Sequence, residues 1–339
     1  MDTSEQDINS CRVSVVVPVR NGAETIVDCL SAVYSSKTTP HEVIVVDDAS
    51  TDNTSSLLRQ FPCLVLTNNK RLGRGASKNK GLKAARGDLT AFVDADVLVH
   101  PDALQSAVLA FIEDASLCAI CAVPEAKSPY SNFASRYKAL YMHFILKDFP
   151  APTDFLHGCF QVFRTNILHS VNLNFDEQMH CDDIDLGVRL KKTGGKIIVM
   201  RQISVAHKKY YSLFRLLRND FKVSAEFAYL LCKHSLALTS LKQGRFAHAR
   251  LPQLLGVFAA GATTATLISG PRFALFSAGF AGLFWLLNWP FFKFLIAKEN
   301  PDMAVRSIVF TLIDQSVMLC GILAGMLTNI ARLLMLKRS

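Results

Sequence analysis

The sequence predicts an α/β domain with a largely parallel sheet, followed by a group of membrane-spanning helices. Within residues 13–114, short Val- and Ile-rich runs alternate with helical stretches, as expected for strands covered by helices on both faces. Hydrophobic residues make up 50% of the 339 positions, more than a soluble domain usually carries. That excess lies in three long apolar runs after residue 250.

The elements of the first part follow one another as four pairs of a strand and a helix. The strands are predicted at 13–19, 43–47, 64–67 and 89–94, and the helices at 24–35, 51–60, 76–85 and 101–114. Ser50 is a candidate cap for the second helix, and Pro101 fits the start of the fourth. In such a sheet, ligands bind beyond the carboxyl ends of the strands.

Polar and acidic residues follow three of these strands. Asn21 follows the first strand, Asp48 follows the second, and Asp94 and Asp96 follow the fourth. Carboxylates crowded into a partly dry site oppose one another's ionisation unless cations share the space. A hard divalent cation such as Mg²⁺ or Mn²⁺, which prefers oxygen ligands, resolves that conflict. The sequence therefore predicts a divalent cation at this edge, although an isolated Asp-x-Asp is a weak signal.

Four segments resemble, in order and spacing, the signatures of family 2 glycosyltransferases with a GT-A fold. They are VVVPVRN at 15–21, VVDDASTDNT at 45–54, GASKNKG at 75–81 and FVDAD at 92–96. The resemblance covers roughly residues 12–210. It implies an enzyme that uses a nucleotide-sugar donor, such as a UDP- or GDP-sugar.

The same resemblance implies roles for individual residues. It places these residues around the nucleotide: Pro18, Asn21, Asp48, Lys78 and Asp94. It places Asp96 on the metal ion. Lys78 stands where the family more often has Arg. The compact charge of its ammonium thus replaces a guanidinium that can bind phosphate through two hydrogen bonds.

A second acidic cluster, CDDIDL, occupies residues 181–186. Helical spacing places Asp182 and Asp185 on one face and Asp183 on another. From the residues alone, an acidic helix start that complements the helix dipole accounts for the cluster. The segment also resembles the family motif Glu-Asp-x-Asp-Leu, whose second acid is the general base. The resemblance thus implies that Asp183 deprotonates an acceptor hydroxyl and that the sugar is transferred with inversion.

Two more stretches are located by the resemblance. Residues 157–164 stand where related enzymes carry an acceptor strand, and His207 stands where some present a histidine to the metal or diphosphate. A lone histidine is at least as often a packed or solvated residue, so both interpretations of His207 stay open. No GxxxxGK[ST] loop occurs in the sequence, which argues against ATP hydrolysis.

The three apolar runs predict a membrane region at 251–335 with two or three helices. Residues 252–270 and 273–292 contain no charge, and 307–331 contain only Asp314. Each run matches the roughly 20 residues that span a bilayer, whereas buried helices of a soluble core are the alternative. A third full span would place Arg332, Lys337 and Arg338 outside the cytosol, which the positive-inside rule disfavours. The number of spans therefore stays open.

Charge predicts the side of the membrane. Residues 189–250 carry fourteen Lys and Arg against two acids, a net charge of +12. Such a segment favours the cytosolic side and attracts anionic lipid. The run at 13–19 is too short and too β-branched for a signal peptide, and nine cysteines suit a reducing compartment. No recognised nucleic-acid module precedes the membrane region, so nucleic acid is not an expected partner.

These observations predict three regions: a cytosolic GT-A domain at 1–210, a basic amphipathic juxtamembrane segment at 211–250 and the membrane region. The expected activity is transfer of one sugar to a hydroxyl of a lipid or lipid-linked acceptor. The Gln-x-x-Arg-Trp signature of processive synthases is absent, and Arg215-Leu216-Leu217-Arg218-Asn219 is the nearest match. The alternatives are a polyprenyl-phosphate glycosyltransferase, a polysaccharide synthase and a non-catalytic nucleotide-binding membrane scaffold.

Overall fold

The computed structural model describes residues 8, 10–149, 151–170, 173–234, 245–246 and 249–336. Contacts divide the chain into two compact units. The first comprises Met1–Tyr130 and Leu146–Lys209, and the second comprises Ser131–Ile145 and Tyr210–Ser339. A segment that lies between two strands of the first unit in sequence thus belongs with the C-terminal helices.

Over the described residues, the first unit contains a mixed eight-stranded sheet. Its strands are β1 Val13–Val19, β2 Glu42–Asp47, β3 Leu64–Thr67, β4 Leu89–Val93, β5 Val97–Val99, β6 Leu117–Pro124, β7 Phe160–Arg164 and β8 Lys196–His207. Their order is β3-β2-β1-β4-β7-β6-β8-β5. The first four in that order are parallel, whereas β7 is antiparallel to both β4 and β6, and β5 is antiparallel to β8.

The sheet has a hydrophobic core on each face. The helices of the first unit are α1 Ile26–Tyr34, α2 Thr54–Leu58, α3 Arg74–Ala84, α4 Ala103–Glu113, α6 Thr165–Ser170 and α7 Asp182–Lys192, while α5 Phe133–Leu146 belongs to the second unit. Val15 and Val17 of β1 share one core with α1 and α4, and Val16 shares the other with α3 and α7. Burial on both faces explains why β1 is an unbroken apolar run.

The predicted start of the second helix is wrong. Helix α2 begins at Thr54, and Asp52 Oδ1 accepts a hydrogen bond from its N–H at 3.1 Å. Ser50 does not cap this helix, because its hydroxyl accepts a hydrogen bond from the Asn21 N–H at 2.9 Å. The hydroxyl therefore joins two loops at the carboxyl edge of the sheet.

The second unit is helical over most of its described residues. Its remaining elements are α8 Leu213–Lys233, the paired β9 Arg245–Phe246 and β10 Ala249–Arg250, α9 Leu251–Ile268, a 3₁₀ turn at Pro271–Phe273, α10 Ala274–Lys298 and α11 Pro301–Leu336. Three stretches of the described chain are long and apolar enough to cross a membrane: Leu251–Ile268, Pro271–Lys298 and Pro301–Ile330. They match the three apolar runs of the sequence.

Helix α8 packs closely along α11 through two glycines. A Cβ atom added to Gly321 would lie 2.3 Å from the carbonyl oxygen of Phe221, and one added to Gly325 would lie 2.2 Å from that of Ala225. Glycines four residues apart let two helix backbones approach in this way. Helix α8 also exposes a row of cationic residues: Arg215, Arg218 and Lys222.

Buried polar contacts attach α5 to α8 and α11. Lys138 Nζ donates a hydrogen bond to Asp220 Oδ1 at 2.6 Å, and the Tyr137 hydroxyl donates one to Thr311 Oγ1 at 3.2 Å. Asp314, the only charged residue of the third apolar run, is fully buried with Oδ2 3.5 Å from that same hydroxyl. A charge within an apolar helix is tolerated where it faces polar partners, so this contact accounts for its position.

Replacing Gly325 with alanine is expected to destabilise the second unit by about 1–3 kcal/mol, because the new methyl group forces α8 away from α11. Gly279→Ala is the matched control, since nothing lies within 4 Å of a Cβ added there. The control should be neutral or stabilising, because alanine favours helix. Thermal unfolding in detergent measures both variants, and equal midpoints would contradict the close packing.

Candidate active site

The loops after β1 and β2 are joined by Asn21. This residue adopts a positive φ of 50°, a conformation that Asn tolerates better than most residues. Its side-chain Oδ1 accepts a hydrogen bond from the Thr51 N–H at 2.8 Å. Pro18 lies buried near the end of β1, just before this loop. Both residues lie at the carboxyl edge, where the sequence predicted them, and Asn21 fixes the shape of that edge.

Asp48 anchors the segment that leads into α3. Its Oδ1 accepts hydrogen bonds from Asn68 Nδ2 at 2.9 Å and from the Leu72 N–H at 2.7 Å, and its Oδ2 accepts one from the Gly73 N–H at 2.9 Å. Burial alone would raise the pKa of Asp48, but these three donors outweigh it and hold the pKa below its ordinary value. The ionised carboxylate therefore fixes the backbone immediately before Arg74.

Asp94, Asp96 and His207 form a three-residue cluster. Each offers one ligand atom, and these atoms all lie within 4.8 Å of one another. Strand pairing explains the proximity of residues that are far apart in sequence, because Val97 of β5 lies opposite His207 of β8. His207 Nε2 lies 3.1 Å from Asp96 Oδ1. The structure thus brings together three residues that the sequence analysis associated with the nucleotide or the metal.

This cluster fits a divalent cation. The side chains of Asp94, Asp96 and His207 are 18%, 29% and 25% exposed, so an ion can reach them from solution. Burial would raise the pKa of Asp96, but the charge and hydrogen bond of His207 and the charge of Lys209 bring it to about 2. The carboxylate is therefore ionised at neutral pH, as a metal ligand has to be.

Two further carboxylates begin α7. Asp182 is fully buried and is paired with two cations: Lys78 Nζ lies 3.3 Å from Oδ2, and the Arg74 guanidinium contacts Oδ1. Burial would raise the pKa of Asp182, but the charges of Lys78 and Arg74 outweigh it and lower the pKa. Asp182 is therefore an ionised structural carboxylate.

Asp183 lies beside Asp182 in a different environment. Its Oδ1 accepts one hydrogen bond, from the Ile184 N–H at 3.0 Å. Burial and the negative charge of Asp182 raise its pKa to about 6, although Arg74 and Lys78 pull in the opposite direction. A Cβ added to Gly158 would lie 2.7 Å from Asp183 Oδ2, so the carboxylate packs directly against this glycine. A carboxylate with this pKa can accept a proton near neutral pH.

Lys78 occupies a different environment from the one expected. The family resemblance implies a position around the nucleotide, but the Lys78 side chain has no exposed surface, and its ammonium lies 4.5 Å from the centre of the Phe175 ring and next to Asp182. In this conformation Lys78 cannot touch a ligand. It stabilises the Asp182 carboxylate through their buried ion pair.

Arg74 is the site residue that the sequence analysis missed. Its Nη2 contacts Asp182 and donates a hydrogen bond to the His180 carbonyl at 2.7 Å, while its Nη1 lies 3.8 Å from Asp94 Oδ2. The guanidinium therefore contacts both the Asp182–Asp183 pair and the cluster of Asp94, Asp96 and His207, which we call the metal-type cluster. The sequence feature that could have identified Arg74 is its position between Gly73 and Gly75, directly before the segment at 75–81 that resembles the family.

Comparisons with known proteins match the N-terminal part of this chain to a glycosyltransferase family. The family model described as Glycosyl transferase family 2 matches residues 14–171. The glycosyltransferase AglE of Haloferax volcanii is 38% identical over 104 residues, which are 28% of this chain and 34% of that protein. The poly-beta-1,6-N-acetyl-D-glucosamine synthase of Staphylococcus aureus is 26% identical over 196 residues, 55% of this chain and 47% of that protein. The chain thus spans less than half the length of these curated relatives.

Solved structures show the same fold. A mannosyltransferase of Pyrobaculum calidifontis, in complex with GDP-Man and Mn²⁺, has a TM-score of 0.56 at 18% identity and covers 94% of this chain and 87% of its own. Glucosyl-3-phosphoglycerate synthase of Mycobacterium tuberculosis, in complex with phosphoglyceric acid, has a TM-score of 0.52 at 20% identity, with coverages of 68% and 83%. At these identities the likeness establishes a GT-A fold.

The Asp96→Asn variant is expected to bind Mn²⁺ at least about tenfold more weakly, because it loses an anionic ligand. Titration calorimetry measures the affinity. Asp102→Asn is the matched control, since Asp102 is exposed and its carboxylate lies 3.9 Å from Lys37 rather than in the cluster. Equal affinities of the wild type, Asp96→Asn and the control would show that the cluster does not hold the ion.

The family match, the order of the sequence motifs and the fold all point to the same group of proteins. Apart from residues 131–145, the match lies in the first unit, which also contains the metal-type cluster and the Asp182–Asp183 pair. The region at residues 14–171 therefore belongs to glycosyl transferase family 2.

Proposed function

We propose that the protein is a membrane-anchored, inverting glycosyltransferase that moves one sugar from a nucleotide-sugar to a hydroxyl group of a lipid or lipid-linked acceptor. The observation that carries this proposal is the environment of Asp183. A buried carboxylate with a pKa of about 6 packs against Gly158 and is connected through Asp182 and Arg74 to a metal-type cluster. This arrangement combines a base with a site for an anionic leaving group.

The chemistry follows from the position of the base. Asp183 takes the proton of the acceptor hydroxyl as that oxygen attacks the anomeric carbon. The bond between the anomeric carbon and the diphosphate breaks on the opposite face, so the configuration inverts. Asp182 assists indirectly, because its charge keeps Asp183 basic while Lys78 and Arg74 hold Asp182 in place.

In the part of the site that would bind the nucleotide-sugar, the metal-type cluster of Asp94, Asp96 and His207 would hold Mg²⁺ or Mn²⁺. A cation held there neutralises charge on the departing diphosphate. Two solved neighbours with this fold support a nucleotide-sugar donor, since one binds GDP-Man with Mn²⁺ and another binds UDP with Mn²⁺ at a TM-score of 0.50. We therefore propose a UDP- or GDP-sugar as the donor.

Membrane attachment supports a lipid acceptor. Three stretches of the described chain can cross a membrane, and α8 exposes Arg215, Arg218 and Lys222 next to Phe214, which is 73% exposed. Cationic and aromatic residues on one helix suit an anionic membrane surface. By the positive-inside rule, the same positive charge supports a cytoplasmic position for the family domain. An enzyme fixed at that surface meets lipid-borne hydroxyl groups directly.

The rate of transfer is expected to rise with pH through about 6 and then to level off, because Asp183 has to be unprotonated to act as the base. In Asp182→Asn the acidic limb should move to lower pH, toward the ordinary aspartate pKa of about 4, because a neighbouring negative charge is lost. Profiles of kcat/KM between about pH 4.5 and 8 measure this shift. A limb that stays in place or moves upward would contradict the assignment, and Asp185→Asn provides the control.

The proposed activity is tested with purified protein in detergent, Mn²⁺, labelled UDP- and GDP-sugars, and a membrane lipid extract as acceptor. We expect one labelled sugar in the organic phase, with inverted configuration by NMR. Asp183→Asn should bind the donor normally but lose at least about a hundredfold in rate, since a general base contributes about 10²–10⁴-fold.

Each element of the proposal has a distinct contrary result. Donor binding without any transfer by the wild type would indicate a nucleotide-binding scaffold instead of an enzyme. Full activity of Asp183→Asn would show that Asp183 is not the base. Equal transfer to soluble acceptors without lipid would contradict a lipid acceptor.

A further inference from the structure

Arg74 carries hydrogen-bond donors that the protein does not use. Its Nη2 is occupied by Asp182 and the His180 carbonyl. Its Nη1 lies 3.8 Å from Asp94 Oδ2, which is an ionic contact beyond hydrogen-bond distance. An arginine side chain has five N–H donors, and the protein uses those of one nitrogen among the described residues. The side chain is 33% exposed, so a ligand can reach the remaining donors.

Charge balance indicates what kind of ligand those donors meet. A divalent cation at the cluster is neutralised by Asp94 and Asp96, which leaves the negative charge of a bound diphosphate unbalanced. Lys78 cannot help because its side chain has no exposed surface. The Lys208 ammonium is already in contact with Asp28. Arg74 is in direct ionic contact with a carboxylate of the cluster and still has accessible donors.

We propose that Arg74 binds the diphosphate of the nucleotide-sugar through Nη1 and Nε while Nη2 keeps its contact with Asp182. The inference rests on the proposed donor and assigns a specific residue to its leaving group. Guanidinium groups bind phosphate oxygens with paired, charge-assisted hydrogen bonds, which an ammonium group cannot reproduce.

The two contacts of Arg74 have a consequence for catalysis. The same guanidinium would touch the leaving group with one edge and the carboxylate beside the base with the other. The leaving group would therefore lie against the same guanidinium that pairs with Asp182, the carboxylate that keeps Asp183 basic. Loss of the guanidinium should reduce both diphosphate affinity and the rate of transfer.

Inorganic pyrophosphate with Mn²⁺ tests the proposal, because this probe carries the diphosphate without a base or a sugar. Titration calorimetry should show that Arg74→Gln binds Mn²⁺-pyrophosphate at least about tenfold more weakly than the wild type, as expected for lost charge-assisted hydrogen bonds. Arg74→Lys should lie between them. Lys83→Gln is the matched control, since it removes an exposed positive charge from the same helix.

Two further variants separate binding from folding and from a rival cation. Arg74→Gln leaves Asp182 paired with Lys78, so thermal unfolding should show that the variant stays folded while its pyrophosphate affinity falls. Asp182→Asn should keep the affinity. Lys209→Gln tests the other cation whose charge acts on Asp96.

The outcomes are distinguishable. Wild-type affinity in Arg74→Gln would overturn the proposal, and so would a loss found in Lys209→Gln but absent from Arg74→Gln. Failure of the folded wild type to bind Mn²⁺-pyrophosphate would instead overturn the proposed donor site as a whole. A tenfold loss confined to the Arg74 variants would support the assignment.

Discussion

Two adjacent aspartates in opposite electrostatic environments determine the chemistry of this site. Asp182 pairs with two cations, the buried Lys78 and the partly exposed Arg74, so its carboxylate stays ionised in a fully buried position. Asp183 then lies next to a fixed negative charge with a single backbone donor, and its pKa rises to about 6. An unpaired Asp182 would be too costly to keep charged at this depth, because an isolated buried carboxylate neutralises instead. The basicity of Asp183 therefore depends on ion pairs that it does not make itself.

The sheet places these groups by joining strands that are distant in sequence. Asp48 of the second parallel strand fixes the backbone before Arg74, and α3 then directs Arg74 and Lys78 toward the start of α7. On the other side of the site, the antiparallel pair of β5 and β8 places His207 beside Asp96. Side-chain hydrogen bonds and ion pairs thus hold the first half of the site, and strand pairing holds the second. Preformed donors and acceptors of this kind cost little reorganisation when charge develops.

Local sequence patterns predicted the elements of the first unit but could not predict the partners of their side chains. The apolar run of β1 and the three apolar helices were evident from composition, and the acids after β2 and β4 were found at the predicted edge. The burial of Lys78 was not predictable, because it depends on Phe175 and Asp182, roughly a hundred residues further along. Arg74 was missed for the same reason. Periodicity describes one element at a time, whereas a charge network is a property of several elements packed together.

The position of α5 shows how the fold connects the family domain to the membrane unit. Its sequence lies between β6 and β7 of the sheet, yet its Lys138 and Tyr137 pair with α8 and α11. Truncating one partner of a buried ion pair is costly, so the contact of Lys138 with Asp220 makes α5 hard to detach from α8. Along the chain, α5 ends at Leu146, and the next segment leads to Gly158, the residue against which the Asp183 carboxylate packs. The segment that borders Asp183 is therefore covalently joined to a helix that packs within the second unit.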